Sequence, residues 1–424
     1  MTASSMTASY IKCHLRWKRL IFLLCLGMST IFFWMTTTWS TKTVLPPCRP
    51  FHALCRAFLS ASDNQTEWRR RDCQIKSYLT NNTLQCSKLM KDLHFITRPL
   101  SAEEEAYPLA FILTVHKELE VLIRLLRAIY TPQNIYCVHV DAKSPPEYKA
   151  SVQKLVSCFE NVFLSSRSET AIYAGFSRLK ADLNCMSDLV TSKVSWRKVV
   201  NLCGQDFPLM SNLELVRYLQ NKMWQERNMT PGIKQPDYMR WRTQFQHNET
   251  HVYFVESKVK KGPPPHDMQI YFGTAYYALT RGFVDFVLES PKARDLLEWS
   301  RDTYSPDEHY WVTLNHLTEA PGSNIAGGWE GSIRAIKWKD QTGKQHNGCN
   351  GRYVRSICVY GLKDLPWLIK KESMFANKFE NDFEPEALDC LEQWHRNKLL
   401  SHTSVPIEPS WLLATRSNSE HAIA

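Results

Sequence analysis

Alternation of apolar strands with amphipathic helices, beginning near Tyr107, constrains this 424-residue chain more than any other feature. LAFILTV (109–115) is an uninterrupted apolar run, the pattern of a strand covered on both faces. Leu119, Leu122, Ile123, Leu126 and Ile129 follow at the spacing of one helix face. IYCVHVD (135–141) predicts a second strand, residues 147–158 a second helix and NVFLS (161–165) a third strand. Residues 176–189 predict a helix and KVVNLCG (198–204) a fourth strand. The fold class that follows is α/β, a parallel sheet built from βαβ units with helices on both faces. Ligands of such sheets bind at the carboxyl ends of the strands, which singles out His116 and Asp141. Beyond an irregular stretch (210–261) and the loop KKGPPPHD, MQIYFGTAYYALT (268–280) returns to strand character.

What precedes this domain predicts a compartment. LIFLLCLGMSTIFFWMTTTW (20–39) is twenty residues without a charge, enough to cross a bilayer. Basic residues lie before it and only Lys42 closely after it, so the positive-inside rule puts the N-terminus in the cytosol. A cleaved signal peptide is the rival reading, against which stand the length and the lack of a small-x-small site. The expected organisation is a cytosolic tail (1–19), a signal-anchor (20–39), a luminal stem (40–100), a catalytic domain (101–400) and a peripheral C-terminal tail (401–424). Asn-x-Thr sequons at Asn64, Asn81, Asn228 and Asn248 agree with a luminal domain. So do the eleven cysteines beyond the apolar stretch, none at zinc-finger spacing, which argue for disulfides over metal. The formal charge of +10 sits partly in the N-terminal tail and in Arg69-Arg70-Arg71. With no basic stripe through the main body, a nucleic-acid partner is not expected.

RDTYSPDEHYW (301–311) is the chemically pointed stretch. Pro306 suits a first helical turn and Ser305 an N-cap, which would set Asp307 and Glu308 at the positive end of a helix dipole. One of these carboxylates is a candidate general base among aromatic walls. A luminal α/β domain rich in aromatics suggests work on glycans with a nucleotide-sugar donor. The chain has no Asp-x-Asp to hold a metal, the nearest sequence being Asp382-Phe383-Glu384. A departing diphosphate would then be met by Arg and Lys, for which Arg352, Arg355 and Lys378 are candidates.

YPLAFILTVHKELEVLIRLLRAIYTPQNIYCVHVDAKS, SRLKADLNCMSDL, NLCGQDFPL, DTYSPDEHYW and VRSICVYG with FANKF occur in one order along the chain. In these segments, over about residues 86–400, the sequence resembles the core 2/I-branching β-1,6-N-acetylglucosaminyltransferases. The resemblance implies a GT-A-type fold with a Rossmann-like nucleotide-binding half. It also implies inverting transfer from UDP-GlcNAc, with no divalent metal or other cofactor, to the 6-hydroxyl of a Gal or GalNAc residue. The acceptor would be a glycan on a glycoprotein or glycolipid, and the compartment the Golgi membrane. Glu308 matches the family's general base. Arg355 and Lys378 match the cations on the diphosphate, and His116, Asp141 and Tyr173 line the uridine side. Tyr173 also has a plain alternative reading as a core aromatic.

The same resemblance implies disulfides Cys55–Cys390, Cys86–Cys158, Cys137–Cys185 and Cys349–Cys358, with Cys203 a free thiol; Cys48 and Cys73 have no clear counterpart, which leaves open a bridge between them or competition of one of them for Cys390. On the acceptor side Arg240 and Trp338 match. Counting back from Trp241 without gaps, the positions of a hydroxyl-binding Glu and Lys fall on Met229 and Asp237. Losing a directed hydrogen bond at such a site alters discrimination strongly. A second reading therefore stands beside the active enzyme: a degenerate member that binds UDP-sugar or glycan without efficient turnover. A two-carboxylate glycosidase would need a second acid that the sequence does not identify.

Overall fold

The computed structural model describes Cys55, Leu79, residues 85–250 and residues 254–413. The apolar stretch 20–39, the tail before it, Cys48, Cys73, Asn64 and Asn81 lie outside the described residues. Among the described residues no helix is long and apolar enough to cross a membrane.

Strand β1 (Leu109–Val115) is the axis of the main sheet. It pairs in parallel with β2 (Ile135–Val140) on one side and β4 (Lys198–Cys203) on the other, so that Ile112 faces both Cys137 and Asn201. β3 (Val162–Leu164) extends the sheet beyond β2, and the edge strand Ala278–Thr280 closes it antiparallel on β4. Period-two alternation divides β1 between two apolar layers. Leu109, Phe111, Leu113 and Val115 pack with helices Leu119–Ile129, Pro146–Val156 and Asn212–Gln220. Ala110 and Ile112 pack on the opposite side with Phe176–Val190 and Arg281–Glu289. The parallel strands expected from the run of apolar segments are all present, with helices on both faces.

Residues 268–280 do not form one strand. Tyr271–Gly273 pairs with Gly232–Lys234, while Ala278–Thr280 belongs to the main sheet. Between them Thr274 turns the chain, its hydroxyl accepting the Tyr276 N–H and its own N–H reaching Pro231 O. A smaller sheet joins Arg334–Ala335, Phe375–Asn377 and Asp206–Pro208, and a hairpin pairs Arg352–Val354 with Ile357–Val359.

Both expected boundaries of the catalytic domain shift outward. Helix Cys86–Asp92, expected in the stem, delivers Leu89, Leu93 and Phe95 to the main core. The tail is likewise not peripheral as far as residue 413: Trp411 is fully buried with Ile96, Leu100 and Leu399. Its indole N–H reaches Thr97, and Arg98 lies over its ring at 5.3 Å. Neither stretch has a sustained period, because each contributes only a few anchor residues to a core built elsewhere.

The four bridges Cys55–Cys390, Cys86–Cys158, Cys137–Cys185 and Cys349–Cys358 are all formed. Each stitches separate elements: Cys137–Cys185, for example, joins β2 to the helix packed on it.

Polar contacts at the carboxyl end of the sheet converge on Asp182, which is almost fully buried. It accepts from Thr114 (3.3 Å), Asn201 (3.1 Å), Tyr277 (3.1 Å) and Arg178 (2.6 Å). Removing one partner of a buried pair leaves the other charge uncompensated. Asp182→Ala is therefore expected to destabilise the fold by about 3–5 kcal/mol, read from the urea midpoint at constant slope, with Asp182→Asn costing less.

Candidate active site

Parallel pairing sets the ends of β1 and β2 side by side, with Val115 opposite Val140, and His116 and Asp141 are the next residues on each. Ser144 links them, its hydroxyl donating to His116 O (3.1 Å) and its N–H to Asp141 O (2.9 Å). Asp141 in turn accepts the Lys143 N–H at 2.8 Å. The His116 imidazole is held below its ordinary range by partial burial first and by Lys117 next; Asp141 opposes this and Arg355 adds to it. Two distant sequence segments therefore meet here.

Arg355 sits at the tip of the hairpin Arg352–Val359, where Arg355 and Ser356 both have positive φ (52° and 63°). A two-residue turn with this twist usually takes Asn-Gly, so two ordinary side chains here mark a strained turn, the kind found at ligand clamps. The guanidinium lies 4.4 Å from the Tyr173 ring centroid. Tyr173 is 62% exposed, so its reading as a core aromatic falls. It precedes Ala174, another left-handed residue, whose carbonyl accepts the Ser305 N–H at 2.8 Å.

Lys378 follows the strand Phe375–Asn377 and is bonded through its backbone to Cys358 and Tyr360, beside the Arg355 hairpin. Its ammonium is 3.6 Å from Glu380, which also takes Lys117 (3.1 Å), Arg352 (2.7 Å) and Gln205 (2.8 Å). Burial alone would raise the Glu380 carboxyl. Hydrogen bonds from Arg352, Gln205 and Lys117, with the charge of Lys378, hold it down to about 2. Glu380 is thus an ionised anchor for a group of cations. The Lys378 ammonium is held below its ordinary range, mainly by burial. Asp382 pairs with Arg352, and Glu384 accepts the Leu362 N–H, so both acids of the Asp-x-Asp-like sequence serve local structure. The free Cys203 thiol accepts from Asn377 at 3.2 Å, and burial pushes its pKa up.

The acidic pair departs from the expected capped helix. Ser305 is left-handed (φ 45°), and its side chain caps nothing. Pro306–Glu308 form one 3₁₀ turn, and His309 breaks the chain before the short helix Tyr310–Leu314. Tertiary contacts aim the carboxylates instead. Glu308, part-exposed, forms an ion pair with Arg242. Arg242 lies against three rings: Phe272 (4.8 Å), Tyr304 (5.0 Å) and Trp241 (5.6 Å). Burial raises the Tyr304 phenol above its ordinary range, and the neighbouring Tyr173 adds to this. Asp307 points inward; burial raises its pKa, Arg178 opposes, and the charges of Glu308 and Asp182 reinforce the rise. One carboxylate therefore faces a cation at the surface while its neighbour is buried against Arg178.

Arg242, Tyr304, Glu380 and Asp182 were missed from the sequence. Arg242 alone had a local signal, lying two residues after Arg240 in the same segment.

The acceptor-side positions scatter. Arg240 is at the surface, 2.8 Å from the largely exposed Asp237. Met229 is 1% exposed, its backbone paired with Ala278. A core methionine contacts no acceptor, so the gap-free count placing it there is wrong. Trp338 is half-buried, bridged by its backbone to Ile357 of the Arg355 hairpin. Of the sequons, Asn248 is exposed. Asn228 is fully buried: its amide donates to Asn315 and Pro321 O, and its oxygen accepts from Thr280. This fold has no room for a glycan on Asn228.

The family model for the Core-2/I-Branching enzyme matches residues 109–369. A human protein named probable beta-1,3-galactosyl-O-glycosyl-glycoprotein beta-1,6-N-acetylglucosaminyltransferase 7 is 53% identical over 337 residues, 78% of each chain. The human N-acetyllactosaminide beta-1,6-N-acetylglucosaminyl-transferase is 46% identical over 409 residues, 93% of this chain and 98% of its own. Human beta-1,3-galactosyl-O-glycosyl-glycoprotein beta-1,6-N-acetylglucosaminyltransferase is 40% identical over 331 residues, 76% of this chain and 77% of its own. With the sheet, the strained cation-bearing turns and this similarity running through both, the chain belongs to the core-2/I-branching enzyme family and is a glycosyltransferase.

Proposed function

We propose that the protein transfers N-acetylglucosamine from UDP-GlcNAc to the 6-hydroxyl of a galactose or N-acetylgalactosamine residue in a glycan, with inversion. The observation that carries this reading is one connected wall. Arg355 stacks on Tyr173, Tyr173 neighbours Tyr304, and Tyr304 packs on Arg242, which pairs with Glu308. A cation for the leaving group and a carboxylate for the acceptor hydroxyl thus stand at opposite ends of a single surface.

Inversion needs in-line attack from the face opposite the departing UDP. Glu308 takes the proton from the sugar hydroxyl while the hydroxyl oxygen bonds to the anomeric carbon. The bond from that carbon to the diphosphate oxygen breaks, and its electron pair leaves with UDP. Arg242 holds the Glu308 carboxylate in place through their ion pair. Arg355 and Lys378 meet the charge growing on the diphosphate, the part a metal plays in other nucleotide-sugar enzymes. His116 and Asp141, beside them at the strand ends, suit the uridine. The names of the relatives, which refer to galactosyl-O-glycosyl-glycoprotein and N-acetyllactosaminide acceptors, support a galactose-containing glycan as acceptor. A luminal Golgi location, with the 20–39 stretch as a type II anchor, fits the exposed Asn248 sequon and the four disulfides. The reading as a non-catalytic binder rests on Met229 and Asp237; the burial of Met229 takes it out of acceptor reach, while Asp237 stays exposed beside Arg240.

Glu308→Gln should lower kcat by about 10²–10⁴-fold while UDP still binds by calorimetry; activity near wild type would exclude Glu308 as the base. Arg355→Ala and Lys378→Ala should each lower kcat/KM for UDP-GlcNAc by about 10–100-fold, the worth of one charge-assisted hydrogen bond. Initial rates in EDTA should equal those in Mn²⁺. A metal requirement would overturn the assignment of the diphosphate to Arg355 and Lys378.

A further inference from the structure

The wall continues past Arg242. Phe272, which packs on Arg242 at 4.8 Å, meets the ring of Trp329 edge-on at 6.4 Å. Ile233 lies directly opposite Phe272 on the paired strand, so their side chains share a face. Trp329 is 52% exposed and Ile233 37% exposed. Single exposed apolar residues are ordinary. Here two are joined through the half-buried Phe272, and together they continue the surface that holds the candidate base.

We propose that Trp329, Phe272 and Ile233 form a second sugar subsite, which takes the ring next to the one being glycosylated in an extended acceptor. This rests on the reading of the protein as a glycan-directed transferase. Three features point to a sugar ring. A pyranose offers one apolar face of C–H bonds and a polar rim, the complement of an exposed indole. The patch joins the wall at Arg242, the partner of Glu308, rather than through Arg355, Lys378 or the strand ends assigned to the donor. It is also too small for a protein partner, whose specific interface takes roughly 20–30 residues a side.

The subsite is held ready. Gly328 O accepts the Gly232 N–H at 2.8 Å, fixing the residue before Trp329 to the strand that bears Ile233. His316 bonds Gly327 O (3.3 Å) and stacks on Tyr271 at 3.6 Å. After Trp329, Gly331 has φ +101°, and a Cβ there would lie 2.3 Å from the Met229 side chain. Met229 thus touches no acceptor but seats the turn that presents Trp329. A backbone fixed on both sides lowers the ordering cost of binding.

The test compares Trp329→Ala and Trp329→Phe with wild type on methyl β-galactoside, N-acetyllactosamine and its tetrasaccharide. The ratio of kcat/KM for tetrasaccharide over monosaccharide should fall about five- to tenfold in Trp329→Ala, what one stacking contact is worth, and largely recover in Trp329→Phe. A ratio equal to wild type would overturn the subsite. Saturation-transfer NMR with the tetrasaccharide gives a readout that needs no turnover: the enhancement on the second ring should vanish in Trp329→Ala. If wild type transfers to no acceptor, the transferase reading fails, and the NMR comparison still decides the subsite. A change from dimer to monomer on Trp329→Ala, by light scattering, would mark the patch as a protein interface and refute the proposal.

Discussion

A buried carboxylate that no water reaches must be satisfied by protein, and Asp182 shows what that demand does to a fold. Its four donors come from β1, from β4, from the approach to the edge strand and from one helical turn earlier on its own helix. Each fixes the height of one element against the others at the carboxyl end of the sheet, where the site is built. Asn201, one of these donors, also accepts the Tyr277 N–H and donates to Ala275 O, so the network sets where the edge strand begins. Arg178, bound on one side to Asp182, places a positive charge against Asp307. The turn carrying Glu308 is thereby seated on the sheet through two acids and one guanidinium. A partly satisfied network of this kind is worse than an apolar core, because every orphaned member keeps its desolvation cost.

Left-handed residues recur around that seat. Ala174, Ser305, Arg355 and Ser356 all have positive φ, and none is glycine. Such conformations cost about 1–3 kcal/mol each and persist only where surrounding contacts over-determine them. The contacts are visible: Ser305 donates to Ala174 O, and the Arg355 hairpin is tied by Cys349–Cys358. The strain sits where a side chain must be aimed at something outside the chain. Helices and strands present side chains along fixed directions, and neither would turn Arg355 onto Tyr173 while leaving both exposed.

This division explains what the sequence could and could not disclose. β1 was legible to the residue, since an apolar run buried on both faces needs no information from elsewhere. His116 and Asp141 were legible as a pair because parallel strands end together. Ser305 misled for a physical reason: Ser-Pro before two acids has the local chemistry of a helix start, and tertiary bonds override it. Tyr173 was open between core and site because an aromatic serves either. Trp411 was hidden in a stretch without period. Met229 failed differently, through a count that assumed equal loop lengths, and loops are where length varies. Asp182 and Glu380 had no signal at all, because a hub is defined by partners from many elements and by nothing in its own neighbourhood.

Charge follows the same logic, and net charge is a poor guide to it. The +10 of the whole chain says little about the site, where most cations are already matched. Lys117, Arg352 and Lys378 share Glu380, and Arg352 also meets Asp382, so that cluster is held in place by its own anion. Glu308 is matched by Arg242. Arg355 is different: it lies over the face of Tyr173, which attracts a cation without neutralising it. A guanidinium stacked on a ring keeps its five donors for a ligand, with its plane already oriented. A diphosphate arriving between the hairpin and Lys378 would therefore displace no carboxylate from Arg355, whereas at Lys378 it would compete with Glu380. Under the proposed function, Arg355 would supply orientation at little cost, and Lys378 would supply charge that Glu380 holds in reserve until a diphosphate draws it out.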